Sequence, residues 1–262
     1  MTTLADRTIA ALRATHDDLA ALVDGLTDEQ LVRPSGASEW TVAQVLSHLG
    51  SGAEIGLATL EAALGAGPAA EPGFNESVWD RWNAMSPREQ ATNFLDHHAR
   101  LVAAFEALTA EQRTTAQVDL GFLPEPLPLA SLAGMRLNES ALHSWDVRVA
   151  FDPSAAVPAD VAAVQAEHLA GALSFIVGFV GKADALTGPA VVDIEGSGYG
   201  LVVADKVAVA TEPADPTATF TGPLEAAIRL IGGRLRPATT PESVKVAGAV
   251  TLDDLRRVFP GY

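Results

Sequence analysis

The sequence of 262 residues contains no cysteine. The chain therefore forms no disulfide, no thiolate metal site and no cysteine nucleophile, and any thiol chemistry must use a thiol from outside the chain. Basic residues are also scarce, with 17 Lys and Arg against 33 Asp and Glu and a formal net charge of -16. Because this charge repels phosphate backbones and anionic lipid surfaces, we expect neither nucleic acid nor a membrane as a partner.

Long apolar runs are absent as well. No stretch reaches the ~18 uncharged apolar residues of a membrane-spanning helix, and the N-terminal segment lacks the apolar core of a signal peptide. We therefore expect a soluble cytoplasmic protein, either a monomer or a homodimer. The length is sufficient for a sizeable buried core and is compatible with two domains.

Apolar residues at helical spacing predict four long helices in the first part of the chain. They cover about residues 3–25, 41–64, 76–108 and 130–150, with a candidate break in the third at Ser86-Pro87. Thr41 is the candidate N-cap of the second helix. The Pro-rich segment GFLPEPLPL before the fourth helix predicts one longer crossover, and four helices of this length favour an antiparallel bundle.

After a further predicted helix at 157–182, the pattern changes to short Val- and Ala-rich runs separated by Gly, Asp and Pro. These runs predict strands at 189–196, 200–211, 218–222 and 244–248, with helices at 223–233 and 251–259. The predicted fold class is therefore α+β. We place a helical bundle at residues 1–155, a bridging helix at 156–182 and a small α+β domain at 183–262.

The segment LNESALHSW places Glu139 and His143 four positions apart on the fourth predicted helix, so both face the same side. A buried carboxylate is costly unless it is paired or binds a metal, and this spacing can present an oxygen and a nitrogen to one cation. His48 lies at the centre of an apolar face of the second helix, with Gly52 one turn later leaving room beside it. Two His and one carboxylate match the protein ligands of a catalytic zinc site, although divalent iron, manganese or nickel could use them too.

The same residues also have an interpretation without a metal. A single His on an apolar helical face is often a hydrogen-bonded core residue, and Glu139 and His143 could simply hydrogen-bond each other. His98 lies on an apolar stripe of the third helix and competes as a ligand. Three other histidines are interpreted as facing solvent: His16, His97 and His168.

Two segments, TVAQVLSHLG and NESALHSWDVRVAFDP, resemble the mycothiol-dependent maleylpyruvate isomerase family, whose N-terminal half belongs to the DinB-like metalloenzyme superfamily. The order of a bundle before a small α+β domain extends this resemblance over nearly the whole chain. It implies zinc bound through His48, Glu139 and His143, and mycothiol, a low-molecular-weight thiol, as cosubstrate. The run IRLIGGRLRP resembles the sterol-carrier-like domain of the family, in which an Arg reaches the active site; the matching residue here is Arg229 or Arg234.

The resemblance implies a small electrophilic or unsaturated acid as substrate. In an isomerase, a zinc-stabilised thiolate would add to the conjugated double bond of maleylpyruvate, allow rotation and then be eliminated. In an S-transferase, the same thiolate would attack an electrophile and stay attached. A third interpretation, from a different functional class, is a non-catalytic carrier that encloses an apolar ligand.

An acidic substrate in a chain of this charge needs local arginines to hold it. The candidates are Arg81, Arg136, Arg229 and Arg234. Arg136 lies one turn before Glu139 and could reach the metal cavity, or it could pair with Glu139 itself. Asp146, one turn after His143, is either an acceptor for a ligand imidazole or a surface charge.

Overall fold

The computed structural model describes residues 2–37, 39–120 and 123–261. Ser38, in the loop before the second predicted helix, lies outside the described residues, as do Gly121 and Phe122 of the predicted Pro-rich crossover. The chain divides into two compact units, Met1–Asp152 and Pro153–Tyr262. The first unit is mainly helical and the second combines helices with a sheet, so the predicted α+β fold class is confirmed.

Helices make up most of the first unit. Their bounds are α1 Leu4–Asp24, α2 Asp28–Leu31, α3 Val42–Ala63, α4 Phe74–Asn83, α5 Pro87–Glu106, α6 Ala110–Thr115 and α7 Leu129–Arg148. Between α6 and α7, two short strands, β1 Gln117–Val118 and β2 Leu127–Pro128, pair antiparallel. The four long helices pack as a bundle in which α3 contacts α5 and α7, and α1 contacts α7 and α5.

Side-chain caps mark where α3 and α5 begin. The Thr41 hydroxyl accepts a hydrogen bond from the backbone N–H of Gln44, whose side chain in turn accepts one from the backbone of Thr41, so the predicted cap of α3 is confirmed. Ser86 caps α5 with Glu89 in the same way, and Pro87 occupies the first turn. Each such cap contributes about 1 kcal/mol. The third predicted helix is accordingly broken before Pro87 into α4 and α5.

The core of the bundle determines which way α3 faces. Leu46 and Leu49 of α3 pack with Phe94 of α5 in a cluster of buried apolar side chains. Because successive helical residues are about 100° apart around the axis, the side chain of His48 points in a different direction from those of Leu46 and Leu49. It points toward α7 instead, where it contacts Glu139.

The second unit is built around a five-stranded sheet. Its elements are α8 Ala159–Ala170, α9 Ser174–Val180, β3 Ala190–Ile194, β4 Tyr199–Val203, β5 Val207–Thr211, β6 Ala218–Thr221, α10 Leu224–Ile231, β7 Lys245–Gly248 and α11 Leu252–Val258. The strand order is β5-β4-β3-β6-β7, with β3 and β6 parallel and the other neighbouring pairs antiparallel. The run GLVVADKVAVAT thus folds as the hairpin of β4 and β5.

The predicted single helix at 157–182 is wrong, because this segment forms two helices. Gly171, with φ -115° and ψ -125°, ends α8, and α9 then continues at an angle of 86°. Both helices contact β5 within the second unit. No single helix among the described residues is long and apolar enough to cross a membrane, and only the bent pair of α8 and α9 reaches that length and composition.

Candidate metal centre

Three side chains from two helices converge in the first unit. His48 comes from α3, and Glu139 and His143 come from α7, which packs against α3. Nε2 of His48 lies 2.9 Å from Oε2 of Glu139, and Nε2 of His143 lies 3.7 Å from the same oxygen. One potential ligand atom from each residue lies within 4.8 Å of the other two. The geometry therefore brings together the three residues that the sequence pattern selected.

The spacing of these atoms is compatible with a shared divalent cation. Ligands at ~2.0 to 2.1 Å from a tetrahedral ion lie roughly 3.3 Å apart. The two distances to the Glu139 oxygen, 2.9 and 3.7 Å, lie on either side of that value. Two imidazole nitrogens and one carboxylate oxygen are also the donor set of many catalytic zinc sites. The residues present thus fit a metal ion in both chemistry and spacing.

The imidazole of His143 is held by a carboxylate on its far side. Its Nδ1 lies 2.8 Å from Oδ2 of Asp146, and the Asp146 side chain has 0% exposure. The surface-charge interpretation of Asp146 is therefore wrong, because its helix face is covered by the loop before α3. In that loop the N–H of Gly36 donates to the Asp146 carbonyl at 2.8 Å. A Cβ at Gly36 would lie 2.9 Å from Oδ1 of Asp146, so the chain passes too close for a larger residue.

Sequence reasoning missed one aromatic residue of the site. The indole of Trp40, at the end of the same loop, lies 6.0 Å from the ring of His143 at an interplanar angle of 23°, which is a stacked arrangement. Its centroid is 5.2 Å from the ring of His48. Trp40 thereby lies beside both imidazoles while remaining 37% exposed. A single aromatic residue in a loop carries no periodic signal that could have identified it.

The electrostatics of Glu139 favour an ionised carboxylate. Burial raises its pKa, but the hydrogen bond with His48 and the nearby charges of His143, His48 and Arg136 outweigh this effect and lower the pKa to about 2. The hydrogen bond of 2.9 Å joins Glu139 to His48 on the other helix rather than to His143. Glu139 is therefore a negative group between two imidazoles, which suits a cation between the same three residues.

Arg136 lies beside this cluster without using all of its donors. Its Nε and Nη2 atoms are buried and have no hydrogen-bond partner among the described residues. Burial lowers the pKa of Arg136, and the charge of Glu139 acts in the opposite direction. A buried donor left unpaired costs about 1–3 kcal/mol. The expected alternative of a direct pair with Glu139 does not account for these two atoms.

The competing histidine, His98, is buried but belongs to a separate network. Its Nε2 lies 2.9 Å from the hydroxyl of Ser140, and its Nδ1 lies 3.1 Å from Nδ1 of His16. The prediction that His16 faces solvent is wrong, because its ring stacks on His98 in the bundle interior. His168 is likewise buried, at 3% exposure, since the face of α8 that carries it packs into the second unit.

His97 also differs from its prediction as a solvent-facing residue. It is half-buried, its ring meets the edge of Trp82 at 5.3 Å, and its Nδ1 lies 3.6 Å from the carboxylate of Glu54. That carboxylate accepts a hydrogen bond from the indole of Trp82 at 2.9 Å and is paired with Arg81. Arg81, a candidate for substrate binding, is therefore engaged within this group of α3, α4 and α5.

The two candidate arginines of the second unit are buried rather than surface charges. Arg229 is 1% exposed and donates from Nε and Nη2 to the two oxygens of Glu225, at 2.7 and 2.9 Å. Its Nη1 donates to the carbonyl of Thr239 at 2.9 Å. Arg234 is 6% exposed and donates to the carbonyl of Gly232 at 2.6 Å. Every nitrogen of the Arg229 guanidinium is thus occupied within its own unit.

Comparison with known proteins relates the first unit to a described family. The family model for the mycothiol maleylpyruvate isomerase N-terminal domain matches residues 12–148. A Geobacillus kaustophilus protein provisionally named a metal-dependent hydrolase is 39% identical over 105 residues, which is 38% of this chain and 58% of that protein. An uncharacterized Mycobacterium tuberculosis protein is 32% identical over 148 residues, 53% of this chain and 54% of that protein. The chain spans about half the length of the curated relatives it matches.

Solved structures show a similar fold over almost the full length. The crystal structure of the mycothiol-dependent maleylpyruvate isomerase matches with a TM-score of 0.65 and 16% sequence identity, covering 95% of this chain and 98% of that chain. A histidine-to-alanine mutant of that isomerase matches with a TM-score of 0.64 and 17% identity. At this level of identity the likeness demonstrates a common fold.

Proposed function

The chain belongs to the mycothiol maleylpyruvate isomerase N-terminal domain family, and from this membership we propose that it is a zinc-dependent enzyme using a low-molecular-weight thiol, mycothiol, as its nucleophile. The proposed reaction is cis–trans isomerisation of a small unsaturated acid of the maleylpyruvate type. The proposed ligands are His48, Glu139 and His143. The convergence of their donor atoms within 4.8 Å is the observation that carries the proposal.

Zinc is the proposed ion because two imidazoles and one carboxylate are the donor set of many catalytic zinc sites. Divalent iron, manganese or nickel could use the same three ligands. When bound, zinc would supply the charge that keeps a coordinating thiol deprotonated at neutral pH. A chain without cysteine has no thiol of its own to offer, so the nucleophile comes from the cosubstrate.

The residues of the site have distinct tasks in this proposal. The carboxylate of Asp146 accepts a hydrogen bond from Nδ1–H of His143, which places the lone pair of the imidazole on Nε2. Glu139 contributes the negative charge that offsets the cation, and its low pKa keeps this charge at neutral pH. Trp40 lies beside the two imidazoles and contributes an apolar ring to the wall of the site.

Mycothiol S-transfer to an electrophile is the alternative reaction, because it shares the attack of the thiolate with isomerisation. The two differ in the fate of the thiol. An isomerase regenerates it in every turnover, whereas a transferase consumes one thiol for each product. Measuring free thiol during turnover of an unsaturated acid would therefore separate them.

The second alternative, a carrier of an apolar ligand, makes a different demand on the same residues. A carrier needs an apolar cavity and has no use for three converging donor atoms. In the first unit, an ionised carboxylate lies between two imidazoles, one of which is hydrogen-bonded by a buried aspartate. This arrangement supports the enzyme over the carrier.

The test is the zinc content of the purified chain, measured by elemental mass spectrometry. We expect close to one zinc per chain in the native protein, a large loss in His48→Ala and a smaller loss in Glu139→Gln, which keeps the shape but removes the charge. His97→Ala is the matched control, because it removes a partly buried histidine of the neighbouring helix α5. The absence of metal from the native protein after incubation with zinc would refute the proposal and favour the carrier.

A further inference from the structure

Arg136 of α7 has one edge of its guanidinium that no described residue uses. The Nε and Nη2 atoms on this edge are buried and have no hydrogen-bond partner among the described residues. The N–H groups of Nε and Nη2 point to the same side, so they form a fork that matches the two oxygens of a carboxylate. This edge is therefore suited to a group with two acceptor oxygens, such as a carboxylate.

Two other arginines of this chain show how the same edge is used. Arg13 donates from Nε and Nη2 to the two oxygens of Glu106, at 2.9 and 2.8 Å. Arg229 donates from the same two atoms to the two oxygens of Glu225, at 2.7 and 2.9 Å. In both cases one carboxylate satisfies both nitrogens. Arg136 offers the identical fork, and the described chain places no carboxylate on it.

The guanidinium of Arg136 lies against a glycine of α3. A Cβ added at Gly52 would lie 2.8 Å from Nη1 and 2.9 Å from Nη2 of Arg136, so the guanidinium occupies the space that a side chain would fill. Gly52 follows His48 by one helical turn, and Arg136 precedes Glu139 by one turn of α7. The fork therefore lies about one turn away from two of the proposed metal ligands.

Arg136 is unusual among the arginines of this acidic chain. With 33 acidic residues available, most arginines described above are paired with a carboxylate, yet two buried donors of Arg136 remain without one. Glu139 influences Arg136 through its charge, but its Oε2 is engaged with His48. A desolvated cation with two unpaired donors next to a reaction centre is suited to binding an anion.

We propose that the Nε and Nη2 edge of Arg136 binds a carboxylate of the substrate and thereby selects acids over neutral electrophiles. The proposal rests on the proposed function for the identity of the neighbouring reaction centre, whereas carboxylate binding is a property of Arg136 itself. By fixing the carboxylate one turn from His48 and Glu139, Arg136 orients the unsaturated carbons of the acid toward the thiol.

The test uses maleate, a small unsaturated dicarboxylate, titrated calorimetrically into the zinc-incubated full chain without thiol. We expect the native protein to bind maleate and Arg136→Gln to bind it roughly 10- to 100-fold more weakly. Arg136→Lys should be intermediate, because an ammonium keeps the charge but loses the fork. Arg100→Gln is the matched control with unchanged affinity, since Arg100 is 60% exposed and only weakly paired with Asp96.

A neutral ligand and a second variant make the outcome specific. Dimethyl maleate, which lacks the carboxylates, should not bind measurably. Gly52→Ala keeps the charge of Arg136 and suits a helix interior, but its Cβ displaces the guanidinium, so the affinity for maleate should fall. If Arg136→Gln does not fold, unchanged maleate affinity in Gly52→Ala overturns the proposal.

The zinc content of each variant separates this inference from the proposed function. Normal zinc with equal maleate affinity in the native protein and Arg136→Gln would overturn the carboxylate site and leave the proposed function intact. No zinc in any variant, with maleate affinity still dependent on Arg136, would refute the proposed function and keep the carboxylate site. A native protein that does not bind maleate at all would overturn the carboxylate site.

Discussion

Nδ1 of His143 lies 2.8 Å from Oδ2 of Asp146, one turn later on α7. Because the carboxylate accepts the hydrogen of Nδ1, the lone pair of His143 is placed on Nε2, the atom that faces Glu139. Histidines that bind metals commonly have such an acceptor on their other nitrogen. Asp146 therefore determines the tautomer of His143, although it does not reach the ligand cluster itself.

Replacing Asp146 with Asn should weaken zinc binding by about 10- to 100-fold without preventing folding. The amide can still orient the imidazole, but it lacks the charge that makes His143 a better donor. Competition with a chromophoric zinc chelator measures this change. Asp96→Asn, which alters an aspartate that is 65% exposed, is the matched control. An affinity equal to that of the native protein would mean that Asp146 is only a packing residue.

Gly36→Ala should destabilise the first unit by about 1–3 kcal/mol. The added Cβ would lie 2.7 Å from Val149 Cγ1 and 3.0 Å from the backbone Cα of Asp146, and backbone atoms cannot move away easily. Urea denaturation measures the loss. Gly188→Ala is the control, since a Cβ there meets nothing within 4 Å. Equal stability of the two variants would contradict the close approach of the loop to α7.

The sequence predicted the long helices and the three clustered residues of the site better than it predicted the loop residues around the site. His48, Glu139 and His143 stood out because histidines and a carboxylate on apolar helical faces are costly without a partner. The structure places their donor atoms together, while metal binding by them stays a prediction. Trp40 and Gly36 lie in a loop, where residue spacing does not indicate which side chains meet.

Two predictions of solvent exposure were wrong because they considered charged neighbours along the sequence instead of positions around the helix. The acidic neighbours Asp17 and Glu167 favour a surface position for His16 and His168, but an adjacent residue lies about 100° away around the helix axis and faces elsewhere. Both histidines are buried. By contrast, the spacing of Glu225 and Arg229, four positions apart, was a usable signal of their ion pair.

The buried pair of His16 and His98 should make stability fall below about pH 6.5. Burial lowers the pKa of His98 well below its ordinary value of 6.5, and the nearby His16, Arg136 and Arg13 lower it further. Burial also lowers the pKa of His16, an effect that Arg13 reinforces and that Asp17 and Glu106 oppose. The unfolded chain then binds protons below 6.5 that the folded chain does not bind, so the free energy of unfolding decreases as the pH falls.

Each such histidine contributes a slope of up to about 1.4 kcal/mol per pH unit. Urea denaturation between about pH 7.5 and 5.5 measures this slope. We expect His98→Gln to reduce the slope, because it removes the group whose pKa is lowered most strongly. A slope identical to that of the native protein in His98→Gln would contradict this assignment.

Arg229 has two candidate roles, one structural and one in substrate binding. Its fork is closed by Glu225, with side-chain exposures of 2% and 8%, and breaking such a buried pair typically costs about 3–5 kcal/mol. We therefore expect Arg229→Met to lower the free energy of unfolding by this amount, and the double variant with Glu225→Gln to lose less than the sum of the single losses. Urea denaturation of the three variants gives both quantities. Native-like stability of Arg229→Met, combined with a raised KM, would instead assign substrate binding to Arg229. A coupled loss of stability leaves Arg136 as the candidate arginine with two unpaired buried donors among the described residues.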